Sequence, residues 1–168
     1  MQLTQNQQKS VERFQAIVRK KTISDRNGNI DREVFDSFLP MLKEIYPEVF
    51  AVVESQLINE YGILIRWKGK NSALAPVVLM AHYDVVSDKD QDWKHPAFAA
   101  EIHDGVVWGR GTIDNKCIFT GILEGMEKLI YIHPLQEEAL LLDDDFKSID
   151  KYPFAVVANS CHYRILCI

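Results

Sequence analysis

Between Leu3 and Lys20 the apolar residues Val11, Phe14, Ile17 and Val18 fall on one face of a 3.6-residue period, which predicts a helix. Thr22 to Asp31 is polar and carries a turn signal at Asn27-Gly28-Asn29. Arg32 to Tyr46 returns to the helical period, with Val34, Phe35, Phe38, Leu42 and Ile45 on one face. Pro40 inside it predicts a kink or a restart, and Pro47 marks its end. The period then changes. Val49 to Leu57 and Tyr61 to Trp67 read as two strands of a hairpin joined by Ile58-Asn59-Glu60. Val77 to Ala81 is continuously apolar, the pattern of a strand covered on both faces. Ala99 to His103 and Val106 to Trp108 read as a short hairpin around Asp104-Gly105. A helix is expected from Asp114 to about Tyr131. Helices, strands and a further helix in this order predict an α/β fold.

Beyond Tyr131 the pattern is weaker. Gln136 to Leu142 is compatible with a helix, Phe154 to Ala158 with a strand, and the chain closes on the apolar RILCI. With 168 residues the chain suits one domain with a sizeable core. The division expected is a principal part, residues 1–131, and a distinct tail, residues 132–168.

Charge narrows the function classes. The net charge of −5 and the lack of a Lys/Arg run argue against a nucleic-acid surface. No apolar stretch is long enough to span a bilayer, and the polar start MQLTQNQQKS lacks a signal-peptide core, so a cytoplasmic location is expected. Cys117, Cys161 and Cys167 form no CxxC pair, and ordinary thiols in a reducing compartment are the simpler reading than ligands or nucleophiles.

Two stretches carry candidate chemistry. In VVLMAHYDVV, His82 and Asp84 have the same parity and would point to one side of a strand end. A neutral imidazole is a good zinc ligand, and a carboxylate two residues on can hold its far ring N–H. A satisfied polar pair at a strand end is the alternative, and for this pair alone the commoner one. In WGRGTIDNK, Gly109 and Gly111 allow close backbone approach or positive φ. Asp114 stands where a helix should start, as a metal ligand or simply as an N-cap. Lys116 is read as a solvated or salt-bridged side chain.

Together, LMAHYDVV and DWKHPAFAAEIHDGVVWGRGTIDNK closely resemble the co-catalytic zinc peptidase family that includes aminoacylase, carboxypeptidases for small peptides, dipeptidases and succinyl-diaminopimelate desuccinylase. The resemblance runs from about Phe14 to Ile130 and is densest from Val77 to Lys116. It implies a three-layer α/β catalytic domain with a mixed sheet and two N-terminal helices, here cut short. It implies that His82 ligates one zinc and that Asp84 is the catalytic Asp that orients His82. Asp114 would bridge two zincs, with a cis peptide to Asn115. The cofactor implied is Zn²⁺, two per complete site, with Co²⁺ or Mn²⁺ as alternatives. The reaction implied is hydrolysis of a small peptide or N-acyl amino acid, with a glutamate as base.

The chain also departs from that family. Glu137-Glu138 follows IHPLQ rather than a strand and precedes ALLL rather than glycine, so the base role is not carried onto it. Asp143 to Asp145 read as a solvated turn. His95, His103, His133 and His162 match no ligand position, and Trp93, Phe98 and Trp108 read as packing residues, with Trp93 able to edge the cleft. The tail is expected to be a frameshifted, disrupted or alternative end, and the chain an N-terminal fragment inactive alone. The rival is a non-catalytic remnant that binds a partner by sheet-edge pairing. A third reading is a one-metal hydrolase recruiting Glu137 or Glu138.

Overall fold

Thr4 starts the first helix, α1 (Gln5–Arg19), in a computed structural model that describes residues 2–69, 73–89, 91–139 and 154–159, with side chains through residue 131. Its hydroxyl accepts from the Gln7 N–H while the Gln7 side chain accepts from the Thr4 N–H. This reciprocal cap satisfies two backbone donors that the first turn leaves free. One face of α1 buries Ile17 and Val18.

The second expected helix is divided into α2 (Arg32–Asp36) and α3 (Phe38–Ile45). The break falls at Ser37, three residues before Pro40. The Ser37 hydroxyl donates to the Val34 carbonyl and accepts from Lys20 Nζ. Pro40 then lies in the first turn of α3, where a missing N–H costs nothing. Pro47 is the first residue of another short helix, α4 (Pro47–Val52). This corrects the strand expected from Val49. The run Val49–Val53 has strand-like composition, but Pro47 pre-sets the first helical φ and Val49 is wholly buried in the core.

The strand begins instead at Glu54. β1 (Glu54–Ile58) and β2 (Gly62–Trp67) form an antiparallel hairpin, with Asn59 and Glu60 at positive φ in its turn. β3 (Val77–His82) follows, then the small antiparallel pair β4 (Glu101–His103) and β5 (Val106–Trp108), with Gly105 at positive φ between them. Helix α5 (Lys116–Ala139) leads to β6 (Phe154–Asn159). The four-stranded sheet runs β1-β2-β6-β3. β6 is antiparallel to β2 and parallel to β3, which makes the sheet mixed.

Odd-numbered residues of β2 and of the β3 end meet the helices. Ile63, Ile65, Ala81 and Tyr83 share a core with Phe35, Phe38, Leu42, Tyr46, Phe119 and Leu123. Phe38 stacks on Tyr83 with centroids 4.2 Å apart. Each such fully buried ring or aliphatic side chain is worth about 1.5–3 kcal/mol relative to exposure. The continuous apolar run of β3 is not covered on both faces: Val78 is 49% and Met80 63% exposed. β3 ends the sheet, so its outer edge has no neighbouring strand among the described residues.

Candidate metal centre

Tyr83 sets the geometry at the end of β3. Its ring turns into the aromatic core, and its hydroxyl donates to the Tyr61 carbonyl at 2.7 Å. Alternation along the extended backbone then sends His82 and Asp84 to the opposite side together. The segment after α1 fixes the backbone there. The Val85 N–H donates to the Thr22 carbonyl, the Ser24 N–H donates to the Val85 carbonyl, and the buried Thr22 hydroxyl donates to the Tyr83 carbonyl. Thr22–Ser24 thus acts as a short partner for residues 83–85, within the polar stretch Thr22 to Asp31.

Asp84 is 2% exposed. Its Oδ2 accepts from the Ser24 hydroxyl at 2.5 Å, and its Oδ1 lies 3.2 Å from His82 Nδ1. The Asp84 carbonyl is 3.1 Å from the same ring nitrogen. The other nitrogen, Nε2, faces Asp114 Oδ1 at 2.9 Å. The hydrogen bond to Asp84 outweighs partial burial and, with the second bond to Asp114, raises the His82 pKa to about 9. At neutral pH both ring nitrogens therefore carry protons, and Nε2–H donates to Asp114.

Asp114 comes to this place from the turn before α5, and its side chain is 84% exposed. The Asp114–Asn115 peptide is cis, as the resemblance implied. The two glycines of WGRG act as the sequence suggested. A Cβ on Gly109 would stand 2.6 Å from Val18 Cγ1, and Gly111, at φ +86°, would bring one within 2.6 Å of Val85 Cγ1. The turn thus packs directly onto α1 and onto the strand end that carries His82 and Asp84.

Lys116 corrects its expected role. It is wholly buried rather than solvated. Its Nζ donates to the carbonyls of Ile17 and Lys20 at 3.0 and 2.6 Å, closing the C-terminus of α1. Burial lowers its pKa to about 7, against a smaller raising effect of Asp84. One side chain thereby ties the helix after Asp114 to the helix before Ser24.

Of the other residues singled out in the sequence, Phe98 packs with Val85 and Ala97, and Trp93 packs against that cluster. Trp93 also lies under the Arg110 guanidinium at 4.9 Å. Trp108 is 38% exposed and meets the His95 ring edge-on. Cys117 is half-buried and its thiol donates to the Ile113 carbonyl. The side chains of His133, Glu137 and Glu138, and all of Asp143–Asp145, Cys161, His162 and Cys167, lie outside the described residues.

An imidazole nitrogen backed by a buried carboxylate and facing an exposed carboxylate is a donor set that suits zinc or a similar borderline divalent cation. His82 and Asp114 would hold the ion, with Asp84 behind His82. The three candidates lie together; Ser24, which the sequence did not single out, holds Asp84, and Lys116 anchors the helix behind Asp114. The only signal for Ser24 was the short strand-like triplet Thr22-Ile23-Ser24 in an otherwise polar stretch.

Known proteins resemble this chain in sequence and in fold. Residues 78–139 match the model of Peptidase family M20/M25/M40. An uncharacterized carboxypeptidase of Schizosaccharomyces pombe is 38% identical over 128 residues, which are 71% of this chain and 22% of that protein. The N-fatty-acyl-amino acid synthase/hydrolase PM20D1 of Xenopus tropicalis is 30% identical over 71% of this chain and 24% of its own length. The crystal structure of an M20 family metallo-carboxypeptidase, Sso-CP2 from Sulfolobus solfataricus, shares the fold with a TM-score of 0.59 at 18% identity, over 93% of this chain and 30% of that one. The chain spans less than a quarter of the length of these two curated relatives. No helix among the described residues is long and apolar enough to cross a membrane. Over residues 78–139 this chain is therefore similar to part of Peptidase family M20/M25/M40.

Proposed function

We propose that this chain supplies one wall of a divalent-metal hydrolytic site acting on the amide bond of a small peptide or an N-acyl amino acid. The observation that carries the reading is the line Asp84–His82–Asp114, in which one imidazole is held between a buried and an exposed carboxylate. The names of the relatives, carboxypeptidase and N-fatty-acyl-amino acid synthase/hydrolase, favour amide substrates of this class.

In this reading, Asp84 keeps the His82 Nδ1–H and so leaves the Nε2 lone pair for the metal. Ser24 holds the Asp84 carboxylate in place. Asp114, exposed on its turn, offers oxygens to one ion or to two. Bound zinc, or cobalt or manganese in its place, supplies Lewis acidity toward the amide carbonyl and toward water. Among the described residues no glutamate is hydrogen-bonded to His82 or Asp114, and two ligands hold an ion weakly. Slow or absent turnover by the chain alone follows. Zinc content, measured with dipeptide and N-acyl amino acid hydrolysis on the same sample, tests the reading. Chelator-sensitive hydrolysis lost in Asp84→Asn would support it. Absence of any zinc-dependent hydrolysis, with zinc binding unaffected by His82→Gln, would refute it.

The exposed Val78 and Met80 on the terminal strand β3 favour one second reading, a non-catalytic remnant that associates through that strand. A folded chain that binds no zinc, hydrolyses nothing and self-associates would select it.

A further inference from the structure

A second place in the fold joins imidazoles to a carboxylate, and it shares no residue with the centre above. Glu101 and His103 have the same parity on β4 and therefore point to one side of the hairpin. Their side chains meet, with His103 Nε2 2.8 Å from Glu101 Oε2. His95, from the loop before β4, brings its Nδ1 to 3.5 Å from that same oxygen. The two imidazole rings stack 3.7 Å apart at 16°. One ligand atom from each of the three residues lies within 4.8 Å of the others.

One nitrogen of each ring lies near the same Glu101 oxygen, His103 Nε2 at 2.8 Å and His95 Nδ1 at 3.5 Å, and a small rotation of the stacked rings turns both lone pairs to one ion. The contact between His103 and Glu101 repeats the one between His82 and Asp114, where an N–H···O bond spans two groups that can both ligate a cation. Two imidazoles and one carboxylate form a donor set found at three-ligand zinc sites, with room for water as the fourth ligand. The set is reachable: the side chains of Glu101 and His103 are 42% and 41% exposed, while His95 at 15% is seated against Trp108.

We infer that His95, Glu101 and His103 form a second divalent-cation site, selective for zinc-like ions, that clips the Trp93–Phe98 loop to the β4–β5 hairpin. Its occupancy is independent of the first centre and of any hydrolytic activity.

The test is a titration of ZnCl₂ into the full chain carrying His82→Gln and Asp114→Asn, followed by calorimetry. One bound equivalent is expected, and it should be lost when His95→Gln or His103→Gln is added. Should the first pair of substitutions prevent folding, the unmodified chain decides the matter. Carbethoxylation of each histidine, mapped by mass spectrometry, should be slowed by zinc at His95 and His103 as well as at His82. Either no binding in the double variant while it remains folded, or equal modification of His95 and His103 with and without zinc, would overturn the inference. Protection at His82 alone would do so while leaving the first centre intact.

Discussion

His82 Nε2 stands 2.9 Å from Asp114 Oδ1, although 32 residues separate them in the chain. Without metal this contact is a hydrogen bond between imidazolium and carboxylate. A cation entering here must take the place of the Nε2 proton. Asp84 holds the ring's other nitrogen, Nδ1, so its replacement should disturb the tautomer. Asp84→Asn is expected to weaken zinc binding about 10–100-fold. A competition titration against a chromophoric chelator measures it, and an unchanged affinity would exclude the orienting role.

Ser24 is expected to matter for stability through the same carboxylate. Its hydroxyl donates to a buried carboxylate oxygen. Hydrogen bonds to charged groups are worth about 1.5–3 kcal/mol, so Ser24→Ala should lower the unfolding free energy in urea by that order. No shift of the urea midpoint would mean that another donor takes over.

Lys116→Met should destabilise the fold by on the order of 1–3 kcal/mol, because it leaves the carbonyls of Ile17 and Lys20 without their side-chain donor. Chemical denaturation reads the total. Amide exchange near the end of α1 reads the location, since the loss should concentrate there.

Two glycines separate crowding from backbone strain. Gly28 and Gly111 both have positive φ, but a Cβ on Gly28 meets nothing within 4 Å while one on Gly111 meets Val85 Cγ1. Gly28→Ala should cost about 1 kcal/mol and Gly111→Ala about 1–3 kcal/mol more. Equal losses would show that the turn does not press on the strand end.

The metal-free chain should lose stability as pH rises. The folded-state pKa of His82, about 9, lies above the ordinary imidazole value of 6.5. Such a raised pKa stabilises the fold fully below about 6.5, and the contribution fades as pH climbs through about 9. The difference in urea midpoint between wild type and His82→Gln, both in chelator, should therefore shrink between about pH 6 and about pH 9.5. A constant difference would place the proton elsewhere.

That His82 and Asp84 share one side was legible because extended backbone alternates, while the roles expected of them and of Asp114 came from the family resemblance. Gly109 and Gly111 were legible through their lack of a Cβ. The start of α4 was not, since the apolar residues after Pro47 fit either period over so short a run. The break before Pro40 was legible as a kink or restart, but its place at Ser37, whose hydroxyl bonds back to the Val34 carbonyl, is recorded by no periodicity. Lys116 was misjudged because a lysine is ordinarily solvated. Only the tertiary approach of the end of α1 provides carbonyls to receive it. The apolar run of β3 implied two covered faces, yet its covering depends on what lies beside the strand, and a local pattern carries no such information. The pairing of His95 with Glu101 and His103 requires a loop to fold back on a hairpin, and it too was invisible.

The strand order β1-β2-β6-β3 gives residues 154–159 a part in the timing of assembly. β2 and β3 are close in the chain but are not neighbours in the sheet; each hydrogen-bonds to β6 instead. During synthesis the strand carrying His82 would therefore leave the ribosome long before its ladder partner, and closure of that long loop comes late. Until then the backbone donors and acceptors of β3 are open to any other extended segment. The expected cost is a vulnerable interval in the life of the nascent chain, in which capture by a chaperone competes with mispairing.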